Sequence, residues 1–262
     1  IEEMEEYEPH IVRGNVIYSG DDYEAIVRAA ENDPGGCDVI VWDGGNNDVA
    51  FIKPDIQITV VDPHRPGHEL GYYPGEVNFR RADVIVINKM DSAPAEGLAT
   101  VRRNIAKVNP KAIVVEANSP PILEDAELVR GKRVLVIEDG PTLTHGEMKI
   151  GAGVVASQRN GAKVLVDPRP YLVGSLVDTF NTYPDIGTLL PAMGYGADQI
   201  KDLEATINAA DCDVVVIGTP IDLGRILDID KPHTRVTYDL DEIGSPNLTE
   251  VLSRFAKDRG IG

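Results

Sequence analysis

The sequence predicts an α/β protein in two parts: a parallel-sheet, three-layer P-loop-NTPase-like half, then a second, Rossmann-like half. Three observations predict it. Short apolar runs alternate with helix-period stretches almost throughout, the pattern of parallel strands joined by right-handed helical crossovers. Several runs, such as VIVI at 84–87 and VVVI at 214–217, are apolar at every position, as strands covered on both faces are. Polar loops punctuated by glycine and proline follow nearly every run, and ligands bind beyond the carboxyl ends of such strands.

In chain order, strands are expected at 16–19, 38–43, 56–62, 84–88, 112–116, 134–138, 163–167, 214–218 and 235–238, each an apolar run that ends at a polar residue or glycine. Helices are expected at 22–32, 96–108, 151–160, 174–182, 197–209 and 247–257, where apolar residues recur at three- and four-residue spacing. The pattern breaks at SPPILED and restarts after Arg130-Gly131-Lys132. The expected domains are therefore 1–131 and 132–262. The chain opens on an acidic stretch without an initiator methionine, so it reads as the later part of a longer polypeptide and not as a secretory precursor.

Composition narrows the function classes. The formal charge is −18, from 43 acidic and 25 basic residues. That disfavours nucleic-acid binding, which needs a basic face. No apolar run approaches the ~20 residues of a membrane span, so a cytoplasmic protein is expected. Cys37 and Cys212 each precede an apolar run as C-D-V, which reads as core-edge thiols in a reducing compartment.

Candidate chemistry sits at the strand ends. DVIVWDGGNND places Asp43 after an apolar run, in the manner of a Walker-B carboxylate that reaches Mg²⁺ on a nucleotide. The next run delivers VVDPHRPGHELGYYPGE, which concentrates Asp62, His64, Arg65, His68 and Glu69 in a proline-stiffened loop. Arg65 and the histidines could neutralise a phosphoryl group, and Asp62 could join Asp43 at a metal. VIVINKMD then presents Asn88, Lys89 and Asp91 as an N-K-x-D tetrapeptide at a strand mouth. There Asp91 can accept from the N1–H and 2-amino group of guanine, Asn88 reaches the base edge, and the Lys89 stem covers the ring. EANSP brings Asn118 to the neighbouring strand end, where a loop would complete the base pocket. A base grip normally works beside a phosphate cradle, G-x-x-x-x-G-K-[ST], and these 262 residues contain none.

In the second half, VIEDGPTLTHGEMKIGAG, VDPRPYLVG, PAMGYG and VIGTPIDLGR follow strands. Thr142, Thr144, His145, Arg169 and Asp222 are the candidate anion or substrate residues. The amides at Gly151–Gly153 open a helix that could hold an anion.

WDGGNND, DPHRPGHELGYYPGE, VINKMDSA, VIEDGPTLTHG, VDPRPY, PAMGYG and VIGTPID, in this order, resemble archaeal and bacterial proteins described as predicted GTPases or cyclic 2,3-diphosphoglycerate synthetases. The resemblance covers nearly the whole chain. It implies an upstream P-loop, carried on a preceding segment or a separate chain, with ATP or GTP and Mg²⁺ as cofactors, a small phosphorylated substrate and a homodimer. It implies phosphoryl transfer to 2,3-diphosphoglycerate followed by closure to the cyclic anhydride. Two alternatives stand beside it. One is a regulatory or chaperone-like GTPase switch, favoured by the guanine-type N-K-x-D. The other is a non-catalytic subunit, favoured by the missing cradle.

Overall fold

The protein is described from a computed structural model covering residues 2–45, 48–140, 151–192, 196–219 and 221–261. It is α/β with mixed sheets, divided into two compact units. One contains residues 1–17 and 121–238, the other 18–120 and 239–262. The chain passes between units at 17–18, 120–121 and 238–239, so the division differs from a single boundary at 131.

Helix α1 (Glu2–Val12) belongs to the first of these units. The second unit begins with α2 (Tyr23–Glu31), whose N-cap Asp22 accepts a hydrogen bond from the Ala25 amide at 3.0 Å. It continues through β1 (Ile58–Val61), α3 (His68–Gly71), α4 (Gly75–Arg81), β2 (Val84–Ile87), α5 (Ala95–Val108) and β3 (Ile113–Asn118). After the excursion through the other unit, β10 (Asp241–Glu242) and α9 (Leu248–Arg259) complete it. The sheet order is β1-β2-β3-β10, with the first three strands parallel and β10 antiparallel.

Strand β2 shows why this sheet has two covered faces. All four of its residues are buried, but they alternate between two separate clusters. Ile85 and Ile87 pack with Phe79, Val101 and Ile105 from α4 and α5. Val84 and Val86 pack with Val115 and with Val251 of α9. Successive strand side chains point to opposite faces, and each face here has its own helical cover.

The cover stops at β1. Ile58 and Val60 pair in register with Val84 and Val86, yet Ile58 is 38% exposed and Val60 62%. Residues 38–43, expected as a strand, carry no regular structure, and their Val39, Ile40 and Val41 are 57%, 40% and 79% exposed. Residues 16–19 are also not a strand. An isolated apolar run has no ladder to join, and among the described residues no strand pairs with β1 other than β2.

The other unit runs through β4 (Ile122–Leu123), β5 (Arg133–Asp139), α6 (Ala152–Arg159), β6 (Val164–Leu165), α7 (Ser175–Thr182), β7 (Leu190–Ala192), α8 (Ala197–Ala209), β8 (Val214–Ile217) and β9 (His233–Thr237). The order is β4-β9-β8-β5-β6, with β7 also paired to β5. All pairings are parallel except β4 with β9. The middle strands carry the core: Val134–Ile137 and Val214–Ile217 are at most 1% exposed. Removing one such side chain, as in Leu135→Ala, costs about 2–5 kcal/mol.

Candidate functional site

The carboxyl ends of β1, β2 and β3 form one rim, because the three strands are parallel and in register. Asp62 stands immediately after β1, Asn88 and Lys89 after β2, and Asn118 ends β3. Backbone bonds fix their spacing. The Asn88 amide donates to Val61 O at 3.1 Å, and the Met90 amide donates to Ala117 O at 3.1 Å. Lys89 adopts φ 57, a left-handed conformation that costs a non-glycine residue about 1–3 kcal/mol and clusters at functional sites.

Asp62 is the electrostatic centre of this rim. Its Oδ1 accepts from the His64 amide at 2.9 Å. Its Oδ2 meets Lys89 Nζ at 3.1 Å and Arg65 Nη2 at 3.2 Å. Burial pushes the carboxyl up, but the His64 amide, Lys89 and Arg65 together outweigh it and hold it below the usual carboxylate range. His64 Nε2 lies 3.0 Å from Ser92 Oγ. His68 instead packs its ring on Tyr72, with centroids 4.9 Å apart. Glu69 accepts from the Gly67 amide at 2.8 Å and from Asn104 Nδ2 at 2.6 Å, which ties the loop to α5. Gly97 permits that seating: a Cβ there would lie 2.1 Å from Pro63 O.

The N-K-x-D residues gather at the same rim. The Ser119 amide donates to Asp91 Oδ1 at 3.4 Å, linking the tetrapeptide to the loop after β3. Asn118 Nδ2 donates to Asp241 Oδ2 at 3.1 Å. Among the described residues Asn88 Oδ1 is buried without a hydrogen-bond partner, and a buried acceptor in that state awaits a donor.

Asp43 does not share this placement. The strand expected to carry it is absent, and Asp43 is exposed on an irregular segment. Both Asp62 oxygens are engaged by the chain's own donors. Among the described residues no group of three or more His, Cys, Asp or Glu side chains is arranged to hold a metal. Asp43 thus lies on an exposed irregular segment, and Asp62 lies beside Lys89 and Arg65 at the rim.

In the other unit, Thr142, Thr144 and His145 lie outside the described residues. Arg169 is committed to its own loop. It meets Asp167 Oδ1 at 3.0 Å, donates to Ile186 O, and lies 5.1 Å from the Phe180 ring centroid. Asp222 accepts from the Gly224 amide at 3.2 Å and faces Arg225 and Arg235 at 3.3 and 3.6 Å. Arg225 also reaches Glu8 of α1 at 2.5 Å.

The prominent polar group here is Glu138, which sequence reasoning passed over. It sits near the carboxyl end of β5, is 2% exposed, and accepts from the Val154 amide at 2.8 Å. The amides at the start of α6, expected to hold a ligand anion, are thus met by the chain's own carboxylate. Burial pushes this carboxyl up, the Val154 and Gly153 amides pull it down, and Asp139 raises it further, to about 7. The sequence shows an acidic end to RVLVIED and a later G-A-G at 151–153, but not that the two meet.

Two α/β units with mixed, mostly parallel sheets thus carry polar groups at their strand ends. No family model matches the chain. Over 258 residues, 98% of its length, it is 59% identical to the arginine synthetase ArcE of Thermococcus kodakarensis, and it spans 57% of that protein. Both cysteines are free, and among the described residues no helix is long and apolar enough to cross a membrane.

Proposed function

We propose that the chain is the larger part of a nucleotide-dependent ligase that forms arginine. The observation that carries this reading is the 59% identity to an arginine synthetase over nearly the whole chain. The chemistry is consistent with it. Building a guanidinium group means replacing a carbon–oxygen bond by a carbon–nitrogen bond. Phosphoryl transfer from a nucleotide to that oxygen makes it a leaving group, after which a nitrogen nucleophile displaces phosphate.

Within this reading, the rim of β1, β2 and β3 belongs to a P-loop-NTPase-like unit and takes the nucleotide. Asp91 and the unsatisfied Asn88 Oδ1 face the base. Arg65 and His64 stand at the phosphate side beside Asp62, and the Lys89 stem covers the ring while its Nζ pairs with Asp62. The phosphate cradle comes from polypeptide outside these residues, which would also cover the bare apolar face of β1. Mg²⁺ would arrive with the nucleotide phosphates, and no step is assigned to it. The other unit takes the acceptor, as a Rossmann-like domain would at its strand ends. A homodimer and a cytoplasmic setting complete the proposal.

The test supplies this chain with a P-loop-bearing polypeptide, fused or as a second chain, together with ATP or GTP and Mg²⁺. Nucleotide-dependent appearance of arginine supports the ligase. Phosphate release that depends on 2,3-diphosphoglycerate would support the cyclic-anhydride synthetase implied by the motifs. GTP hydrolysis that needs no acceptor would support the switch. In the same assay Asp91→Ala should relax the choice between ATP and GTP and leave folding intact. An unchanged preference removes the base grip.

A further inference from the structure

Strand β1 is open on one edge and on one face. The Val84 amide donates to Gln57 O and the Asn88 amide to Val61 O, both at 3.1 Å, so the odd-numbered residues turn their backbone groups toward β2. Ile58 and Val60 alternate with them and turn their N–H and C=O groups to the other edge. Among the described residues no strand pairs there, and such an edge is a template for another strand. The side chains of the same two residues lie on the face that α9 covers further along. Their partners Val84 and Val86 pack with Val251 of α9, whereas Ile58 and Val60 are exposed. The opposite face is finished: Val61 is buried with Phe79 and Val101, and Thr59 Oγ1 donates to Asn78 O at 3.2 Å.

A second apolar element of this unit is also without a ladder. Val39, Ile40 and Val41 are exposed, yet the run is anchored, since the Trp42 ring packs on Tyr23 of α2 with centroids 5.2 Å apart. The stretch after it is tied to α4, where Asn78 Nδ2 donates to Asp48 O at 2.6 Å. What would occupy the gap follows from length. The chain spans 57% of the arginine synthetase it resembles, so that relative has further polypeptide. A second copy fits less well: two-fold symmetry lays β1 antiparallel against itself and leaves both 38–43 runs unpaired.

We propose that β1 is a docking edge for a strand–helix unit of that further polypeptide. The strand adds parallel to β1, between β1 and residues 38–43, and the helix lies beside α9 over Ile58 and Val60. Parallel strands are joined by crossovers that are usually helical, so one unit supplies both pieces. The run 38–43 then has a ladder to join and becomes the outermost strand, which brings Asp43 to the rim of Asp62. The inference rests on the nucleotide-dependent reading for what comes next in that polypeptide: a parallel strand ends beside Asp62, where that reading puts the phosphates.

The experiment mixes the 262-residue chain with the stretch of ArcE outside the part this chain matches, made as a separate polypeptide. Sedimentation velocity reads the complex, and amide hydrogen exchange by NMR reads the strand. Val60→Lys and Val41→Lys are the test variants, and Val164→Lys, at an exposed position of β6, is the control. Val41 lies outside any regular element, so its lysine variant keeps the test open if Val60→Lys fails to fold. The expected result is a one-to-one complex in which the Ile58 and Val60 amides, and alternate amides of 39–43, exchange slower by about tenfold or more. The Thr59 and Val61 amides, which already face β2, should change little. Both test variants should weaken the complex by about tenfold or more, because a lysine charge resists burial, and the control should not. No complex with the wild type, equal binding by both test variants, or a complex that leaves the Ile58 and Val60 amides unprotected overturns the proposal. Dimerisation of the chain alone that Val60→Lys abolishes gives the edge to a second copy and overturns it too. A complex of the expected kind that forms no arginine with ATP or GTP keeps the docking edge and removes the ligase reading. Arginine formation undiminished by Val60→Lys removes the edge and keeps the ligase.

Discussion

The two strand-end acids of this protein, Asp62 and Glu138, solve the same problem in opposite ways. Each follows or ends an apolar parallel strand, and burial pushes each carboxyl up. Asp62 is answered by Lys89, Arg65 and the His64 amide, and it ends below the ordinary range. Among the described residues Glu138 is answered by backbone amides, and it is held at about 7. Amides supply partial charge and cations a full one, so the Asp62 carboxyl stays ionised and the Glu138 carboxyl keeps its proton to higher pH. That contrast separates a carboxylate balanced by cations from one held by amides.

The largest expected effect lies at Glu138. Its folded-state titration near 7 stands above the ordinary value of 4.5, so the fold favours the protonated form. Stability should be full below about pH 4.5 and fall as the pH rises through 7, by up to about 3 kcal/mol. Glu138→Gln should remove that slope, leaving the variant more stable than the wild type at pH 8. Urea unfolding at pH 5 and pH 8 checks it, and an equal slope in both proteins would erase the contrast.

Next comes Gly97→Ala. The added Cβ would meet Pro63 O at 2.1 Å, and backbone cannot yield cheaply, so a loss of about 1–3 kcal/mol is expected. The displaced loop carries His64 and Arg65, so nucleotide binding should weaken as well. Normal stability would show that the Asp62 loop is not held by this contact.

Asp62→Asn should cost about 1 kcal/mol at pH 7, through the lost pairing with Lys89 and Arg65. Because the folded-state titration of Asp62 is lowered, the difference between wild type and variant should hold above the ordinary carboxylate range. It should vanish as the pH falls through that lowered value. A difference that persists at pH 2 would assign the effect to packing. Arg169→Ala is the smallest of the four, at about 1 kcal/mol, because its exposed guanidinium fastens its own loop through Asp167 and Phe180. A large loss of activity without loss of stability would return Arg169 to the substrate site.

The sequence showed the strand-helix alternation well where an apolar run had neighbours to pair with. VIVI at 84–87 and VVVI at 214–217 are strands, each buried at every position. DVIVWD at 38–43 looks the same locally but is not a strand, because pairing depends on what lies beside a segment rather than within it. The grouping of Asp62 with Lys89 followed from adjacent strand ends, whereas their direct ion pair required the left-handed turn at Lys89. Glu138 was illegible for a similar reason. Nothing in RVLVIED states that its acid turns inward toward Gly151, Gly153 and Gly218.

The most direct measurement of the central contrast is the titration of the Glu138 side-chain carboxyl by carbon-13 NMR, with selectively labelled glutamate and Glu138→Gln for assignment. The account predicts a midpoint near 7. A midpoint near the ordinary 4.5 would contradict it.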